Sequence, residues 1–192
     1  MAGIMRYVAV LDACVLYPAV TRDILLSLAQ ADLYHAKWST DIQREWVENL
    51  LANRQDLKRE QLEKTCADML RTVPDGMVKS YQSLITTLEL PDEGDRHVLA
   101  AAITCNADAI VTFNIKDFPL AALVPHELEA QHPDDFIMNQ IDLSPQIGIA
   151  AIKAMRTRMR KPPRTTDEFI VLVEQNQLPQ TATFLRQWES LV

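Results

Sequence analysis

The chain has 192 residues, 48% of them hydrophobic and 23% charged, and carries a net charge of −7. That length supports one sizeable core with an appendage, and the composition excludes a disordered or fibrous chain. No apolar run approaches the roughly 20 residues that a membrane helix needs, and the acidic balance by itself counts weakly against nucleic acid as a partner.

The first predicted element is a buried strand over 7–12, "YVAVLD", followed by a helix over 21–31 with Ile24, Leu25 and Leu28 on one face. A short strand over 33–38 leads into a helix capped by Ser39 or Thr40, with Ile42, Trp46 and Leu50 at i, i+4 and i+8. A polar helix is expected over 57–71, then a turn at "PDG", 74–76, and a helix over the ambiguous segment 77–87. A helix over about 92–106 precedes a second buried strand, 108–113, a loop "NIKDFP" and a last short strand at "LEAQ". Alternating strands and helices predict an α/β domain with helices on both faces of a parallel sheet. After His132 the pattern is helical only, roughly 134–142, 144–160, 166–176 and 179–190. The expected division is therefore an α/β domain over 1–132 and an all-helical extension over 133–192. Met138, Ile141, Ile147, Ile149, Ala150 and Ile152 give that extension an apolar side that should pack on the domain. Cys14, Cys66 and Cys105 lack zinc-ligand spacing and read as reduced thiols of a cytosolic protein. Asp12 interrupts the N-terminal apolar stretch, so no secretory leader is expected.

The acids carry the chemistry. In an open parallel sheet, ligands bind outside the carboxyl ends of the strands. Asp12 ends the first strand there, Asn114 and Asp117 follow the second, and Asp92 and Asp95 open the helix leading to it. Glu45 borders the apolar stripe of its helix, whereas Glu48 points further out. Each has a plainer reading: Asp12, Asp92, Asp95 and Asp117 as helix-end residues, Asn114 as a turn residue, Glu45 as a solvated acid. Together they form a set of hard oxygen donors whose mutual repulsion a divalent cation would relieve. Mg²⁺ or Mn²⁺ suits such donors, and two-metal sites activate water for in-line attack on phosphorus. His35, His97, His126 and His132 form no zinc pattern, and His97 reads as a helix-face residue one turn from the acids.

Between Leu143 and Thr166 there is no acid, while Lys153, Arg156, Arg158, Arg160, Lys161 and Arg164 are basic. This stretch reads either as a solvated helix face or as an exposed stripe whose Lys153, Arg156, Arg160 and Arg164 contact an RNA backbone.

The ordered segments "VLDACVLYP", "REWVENLL", "LPDEGDRHVLAAAI" and "AIVTFNIKDFP" resemble the PIN domain family. They are similar in particular to its VapC-type bacterial branch with a C-terminal helical extension. The resemblance covers residues 7–132 through motifs and the tail more loosely. It implies a PIN-like three-layer α/β/α fold with a central parallel sheet, plus the all-helical extension. It also implies a metal-dependent ribonuclease that leaves a 5′-phosphate and a 3′-hydroxyl. Such enzymes are often cytoplasmic toxins of a type II toxin–antitoxin pair. The partners implied are an RNA substrate and a cognate antitoxin protein; a homodimer is admitted, and no membrane is expected. Residue by residue, the resemblance makes Asp12, Glu45, Asp95 and Asp117 catalytic metal ligands and Asn114 a further ligand. Asp92 and Cys14 stand behind them. Cys14 replaces a polar residue beside Asp12, and Asn114 removes a charge that a second metal would use.

The alternative is a catalytically inactive PIN-like module that binds RNA or protein. A haloacid-dehalogenase-type phosphatase fails, because the required second Asp is Cys14. A receiver domain lacks its acidic pair ahead of Asp12.

Overall fold

The computed structural model describes residues 7–159 and 162–192. Five parallel strands make one sheet: β1 (Val8–Leu11), β2 (His35–Ser39), β3 (Met77–Val78), β4 (Ala109–Val111) and β5 (Glu129–Gln131), in the order β3-β2-β1-β4-β5. β1 is central, and its Ala9, Val10 and Leu11 are fully buried, as a strand covered on both faces requires. The chain runs outward from β1 through β2 to β3, then returns to place β4 on the other side of β1. The register pairs Leu11 with Val111. The strand order therefore reverses between β1 and β4, the position where open α/β sheets form a crevice at their carboxyl edge.

A short helix α1 (Ala13–Leu16) follows β1 directly, and α2 (Ala19–Gln30) starts after Pro18. α1 falls between two expected elements, because four residues are too few to show periodicity. Helix α3 (Thr40–Asn53) is capped by Ser39, whose hydroxyl accepts from the Ile42 N–H, and buries Ile42, Trp46 and Val47. The polar helix α4 (Arg59–Thr72) buries Leu62, Cys66 and Met69 at i, i+4 and i+7.

The expected helix over 77–87 is corrected. Met77 and Val78 are an edge strand, and only Gln82–Ile85 is helical, as α5. Gly76 explains the strand: a Cβ there would overlap the Trp38 ring, and its carbonyl accepts from the Trp38 N–H at 2.9 Å. The helix expected from Asp92 begins instead as a 3-10 turn, Glu93–Asp95, and becomes α6 (Arg96–Thr104). After β4 come another 3-10 turn, Ile115–Asp117, and α7 (Leu120–Leu123).

The C-terminal helices are α8 (Pro133–Leu143), α9 (Pro145–Arg158), α10 (Thr166–Gln175) and α11 (Pro179–Gln187). α8, α9 and α10 pack on α2, and Phe136, Ile141, Ile149, Ile152, Phe169 and Leu185 join the same buried cluster as the sheet. The apolar side expected of the extension is therefore packed at Ile141, Ile149 and Ile152, while Ile147 is exposed. No helix among the described residues is long and apolar enough to cross a membrane.

Candidate functional site

β1 delivers Asp12 to the carboxyl edge of the sheet, where its N–H donates to the Val111 carbonyl at 3.1 Å and locks it beside β4. The carboxylate is buried, at 4% exposure, and each oxygen is engaged. Oδ1 accepts from the Ala13 N–H at 2.6 Å. Oδ2 accepts from the Thr112 hydroxyl at 2.7 Å and the Cys14 thiol at 3.1 Å. Asp12 is thus also the N-cap of α1, as its plainer reading had it. Burial raises its pKa above the aspartate value; the Thr112 and Cys14 hydrogen bonds pull it down, and the Glu45 charge pushes it up. Where Cys14 replaces a polar residue, the thiol still makes the contact to Asp12, as a weaker donor than a hydroxyl.

Asp95 stands at the junction of the 3-10 turn and α6, half-buried. Its pKa is pushed up to about 7, first by burial, then by the charges of Asp12, Asp92, Asp117 and Glu45. Acids from four separate segments therefore act on one carboxyl group. Asp92 is exposed and caps the 3-10 turn, its Oδ1 accepting from the Gly94 N–H at 2.7 Å. Asp117 is half-buried on the turn after β4; it does not cap α7, whose first turn has no side-chain cap. Asn114 is exposed, and its N–H donates to the Thr112 hydroxyl at 3.0 Å.

Glu45 projects from α3 toward α6, where its Oε2 lies 3.2 Å from His97 Nε2. Glu48 instead pairs with Arg59, and it lines the same cleft as Glu45. Asp41, Arg44, Glu45, Asp92, Asp95 and His97 line a cleft of about 460 Å³. A larger groove, about 690 Å³ between α2, α4 and α9, is lined by none of the acids named above.

The donor set is one of hard carboxylate oxygens, which fits a divalent cation in chemistry and charge. Among the described residues no three such side chains already close on one point as ligands do. Were a cation bound, closure would fall to the half-buried Glu45, Asp95 and Asp117 around the fixed Asp12.

Sequence reasoning missed Thr112, whose hydroxyl ties Asp12 to Asn114. "VTFN" carries no mark of a cross-strand contact beyond a Thr at a strand end. It also did not find the contact of His97 with Glu45, because a helix-face position says nothing about the facing helix.

The expected basic stripe is corrected at Arg156. Its guanidinium is half-buried and donates to the carbonyls of Arg164 and Val192, each at 3.1 Å. Lys153 is exposed and donates to the Leu191 carbonyl; Arg158 reaches the Ser27 hydroxyl; Arg164 is half-buried. Arg160 lies outside the described residues.

Residues 133–187 match the family described as VapC50 C-terminal domain. A curated protein of Mycobacterium tuberculosis (strain ATCC 25618 / H37Rv), named "Putative ribonuclease VapC50", is 42% identical over 93 residues, 48% of this chain and 54% of that protein. The chain thus spans about half the length of the curated relative it matches. No solved structure matches it. Residues 8–116, more than half of the chain and all of the acid-bearing edge except Asp117, match the PIN domain, and the chain belongs to the PIN domain family.

Proposed function

We propose that the protein is a divalent-cation-dependent endoribonuclease, using Mg²⁺ or Mn²⁺, and the cytoplasmic toxin of a type II toxin–antitoxin pair. In this reading residues 1–132 carry the chemistry and 133–192 form the helical extension. Asp12, Glu45, Asp95, Asn114 and Asp117 hold the cation, with Asp92 and Cys14 behind them. RNA is the substrate, an antitoxin protein the regulator, and a homodimer the assembly proposed. What supports the reading is that β1 ends at Asp12 where the strand order reverses, together with the charges of Asp12, Asp92, Asp117 and Glu45, which all push the Asp95 carboxyl up.

A divalent ion bound there would make water a better nucleophile at neutral pH and offset charge developing on the phosphate oxygens. The chain's own residues prepare that place. Asp12 is fixed by the donors on both its oxygens, so its orientation does not depend on substrate. Asp95 and Glu45, less enclosed, can adjust around it. Water adds to phosphorus in line and the P–O3′ bond breaks. The 3′ oxygen takes a proton, leaving a 5′-phosphate and a 3′-hydroxyl.

The test is RNA cleavage by purified protein with Mg²⁺ or Mn²⁺, with EDTA, and with Asp12→Asn. Cleavage should require the ion and vanish in the variant, which should still fold. Expression of the wild type, and not of Asp12→Asn, should halt growth. Cleavage that survives chelation, or persists in Asp12→Asn, defeats the reading.

A further inference from the structure

Burial does not orient Glu45. Its side chain is 40% exposed, and a glutamate so placed on a helix samples several rotamers. One contact selects among them: His97 Nε2 at 3.2 Å from Oε2. His97 is itself held. Its side chain is 15% exposed, it follows Asp95 by two residues at the start of α6, and the next residues, Val98 and Leu99, are buried in the core. Its Nδ1 is buried without a partner. A hydrogen on Nδ1 would be an unsatisfied buried donor, so the surroundings favour the tautomer that carries its hydrogen on Nε2 and donates to Glu45.

We propose that His97 is a positioning residue that aims Glu45 into the acid cluster, tying α3 to the element that carries Asp95. The inference rests on the reading of these acids as cation ligands. It is consistent with the upward push that a half-buried glutamate on a separate helix exerts on both Asp12 and Asp95. A group that orients a ligating carboxylate typically contributes about 10-fold or more to metal affinity.

The experiment is calorimetric titration of the full chain with Mn²⁺, using wild type, Glu45→Gln, His97→Phe, His97→Ala, His97→Gln and the double variant Glu45→Gln/His97→Phe. Unfolding curves in EDTA establish which variants are folded; Phe keeps ring volume, and Ala stands in if Phe does not fit. His97→Phe or Ala should weaken Mn²⁺ about 10-fold, and His97→Gln, which keeps a donor near Nε2, should recover most of that loss. In the Glu45→Gln background, losing His97 should add little, because its effect passes through the carboxylate. Wild-type affinity in a folded His97→Phe or Ala overturns the inference alone. So does a loss that Gln does not restore, or one that adds in full to that of Glu45→Gln. If wild type itself takes up no Mn²⁺, the proposed function falls and the inference falls with it.

Discussion

Asp12 owes its state to two opposed influences: burial, which favours the protonated carboxyl, and the donors from Ala13, Cys14 and Thr112, which favour the carboxylate. Thr112 is the largest of the lowering influences and is itself fully buried. Thr112→Val keeps the shape and removes that donor, so the pKa of Asp12 should rise. Ligation needs the carboxylate, so the acid limb of the cleavage pH profile should move to higher pH in Thr112→Val, with a smaller loss at alkaline pH. An unshifted limb would mean that Thr112 serves only to place the Asn114 N–H. Asp95 allows a second test, in EDTA. Its carboxyl, ordinarily at 3.8, is raised in the native state to about 7. Between those values the native state holds a proton that the unfolded chain has lost, so stability falls as pH rises through that window, and the full cost persists above it. Asp95→Asn removes the cost. Its stability should match wild type near about pH 4 and exceed it near about pH 8, by about 1–2 kcal/mol once solvent screening of a half-buried group is allowed for. Urea unfolding at the two pH values reads this directly. A difference that does not grow with pH would show that the acids do not crowd Asp95.

The elements meet through caps and close approaches as much as through apolar faces. Asp134 is buried on the first turn of α8, and its carboxylate caps α11. It accepts from the Thr181 N–H at 2.9 Å, the Thr181 hydroxyl at 2.7 Å and the Gln180 N–H at 2.7 Å. Asp134→Ala would orphan these donors, and Thr181 is fully buried. Loss of a cap together with unsatisfied buried donors should cost about 2–3 kcal/mol, read as a fall in the urea midpoint. An unchanged midpoint would mean that water replaces the carboxylate. Such contacts explain what the sequence could and could not disclose. The apolar run ending at Asp12, the i, i+4, i+8 stripe of Ile42, Trp46 and Leu50, and the helices after His132 were legible because burial imposes a period on one chain segment. So was the place of Asp12 at the carboxyl edge of the sheet, since strand ends are readable. The 77–87 segment was not, because β3 exists through a partner: Gly76 must sit under Trp38, far away in sequence. The Thr112 hydrogen bond to Asp12 and the His97 contact with Glu45 were hidden for the same reason, since each joins positions dozens of residues apart.

Across the whole molecule, charge is divided. The net charge is −7, and the cleft holds acids that repel a phosphate backbone, so under the proposed function RNA would have to be held by positive groups elsewhere for the cleft to reach it. The acid-free stretch of the tail is where the sequence places them, and its helices α8, α9 and α10 rest on α2 as part of the common core. The structure separates two kinds of arginine and lysine there. Arg156 fastens 164 and 192 to α9 through carbonyls, so Arg156→Ala should lower stability and change RNA affinity only as far as the tail loosens. Lys153 is exposed and makes one carbonyl contact, and Arg164 contributes only its backbone carbonyl to the Arg156 contact, so both could turn toward phosphate. In the double variant Lys153→Ala/Arg164→Ala, RNA binding at low salt should weaken. The slope of log affinity against log salt should become shallower by about 1 for each phosphate that the variant no longer neutralises. Mn²⁺ affinity should stay at the wild-type value, because neither residue lines the acidic cleft. The measurement is filter binding or fluorescence anisotropy of an uncleaved RNA with EDTA present, repeated over a salt series. Unchanged affinity with an unchanged slope would show that the tail does not hold RNA, and its basic residues would then serve the packing that Arg156 already displays.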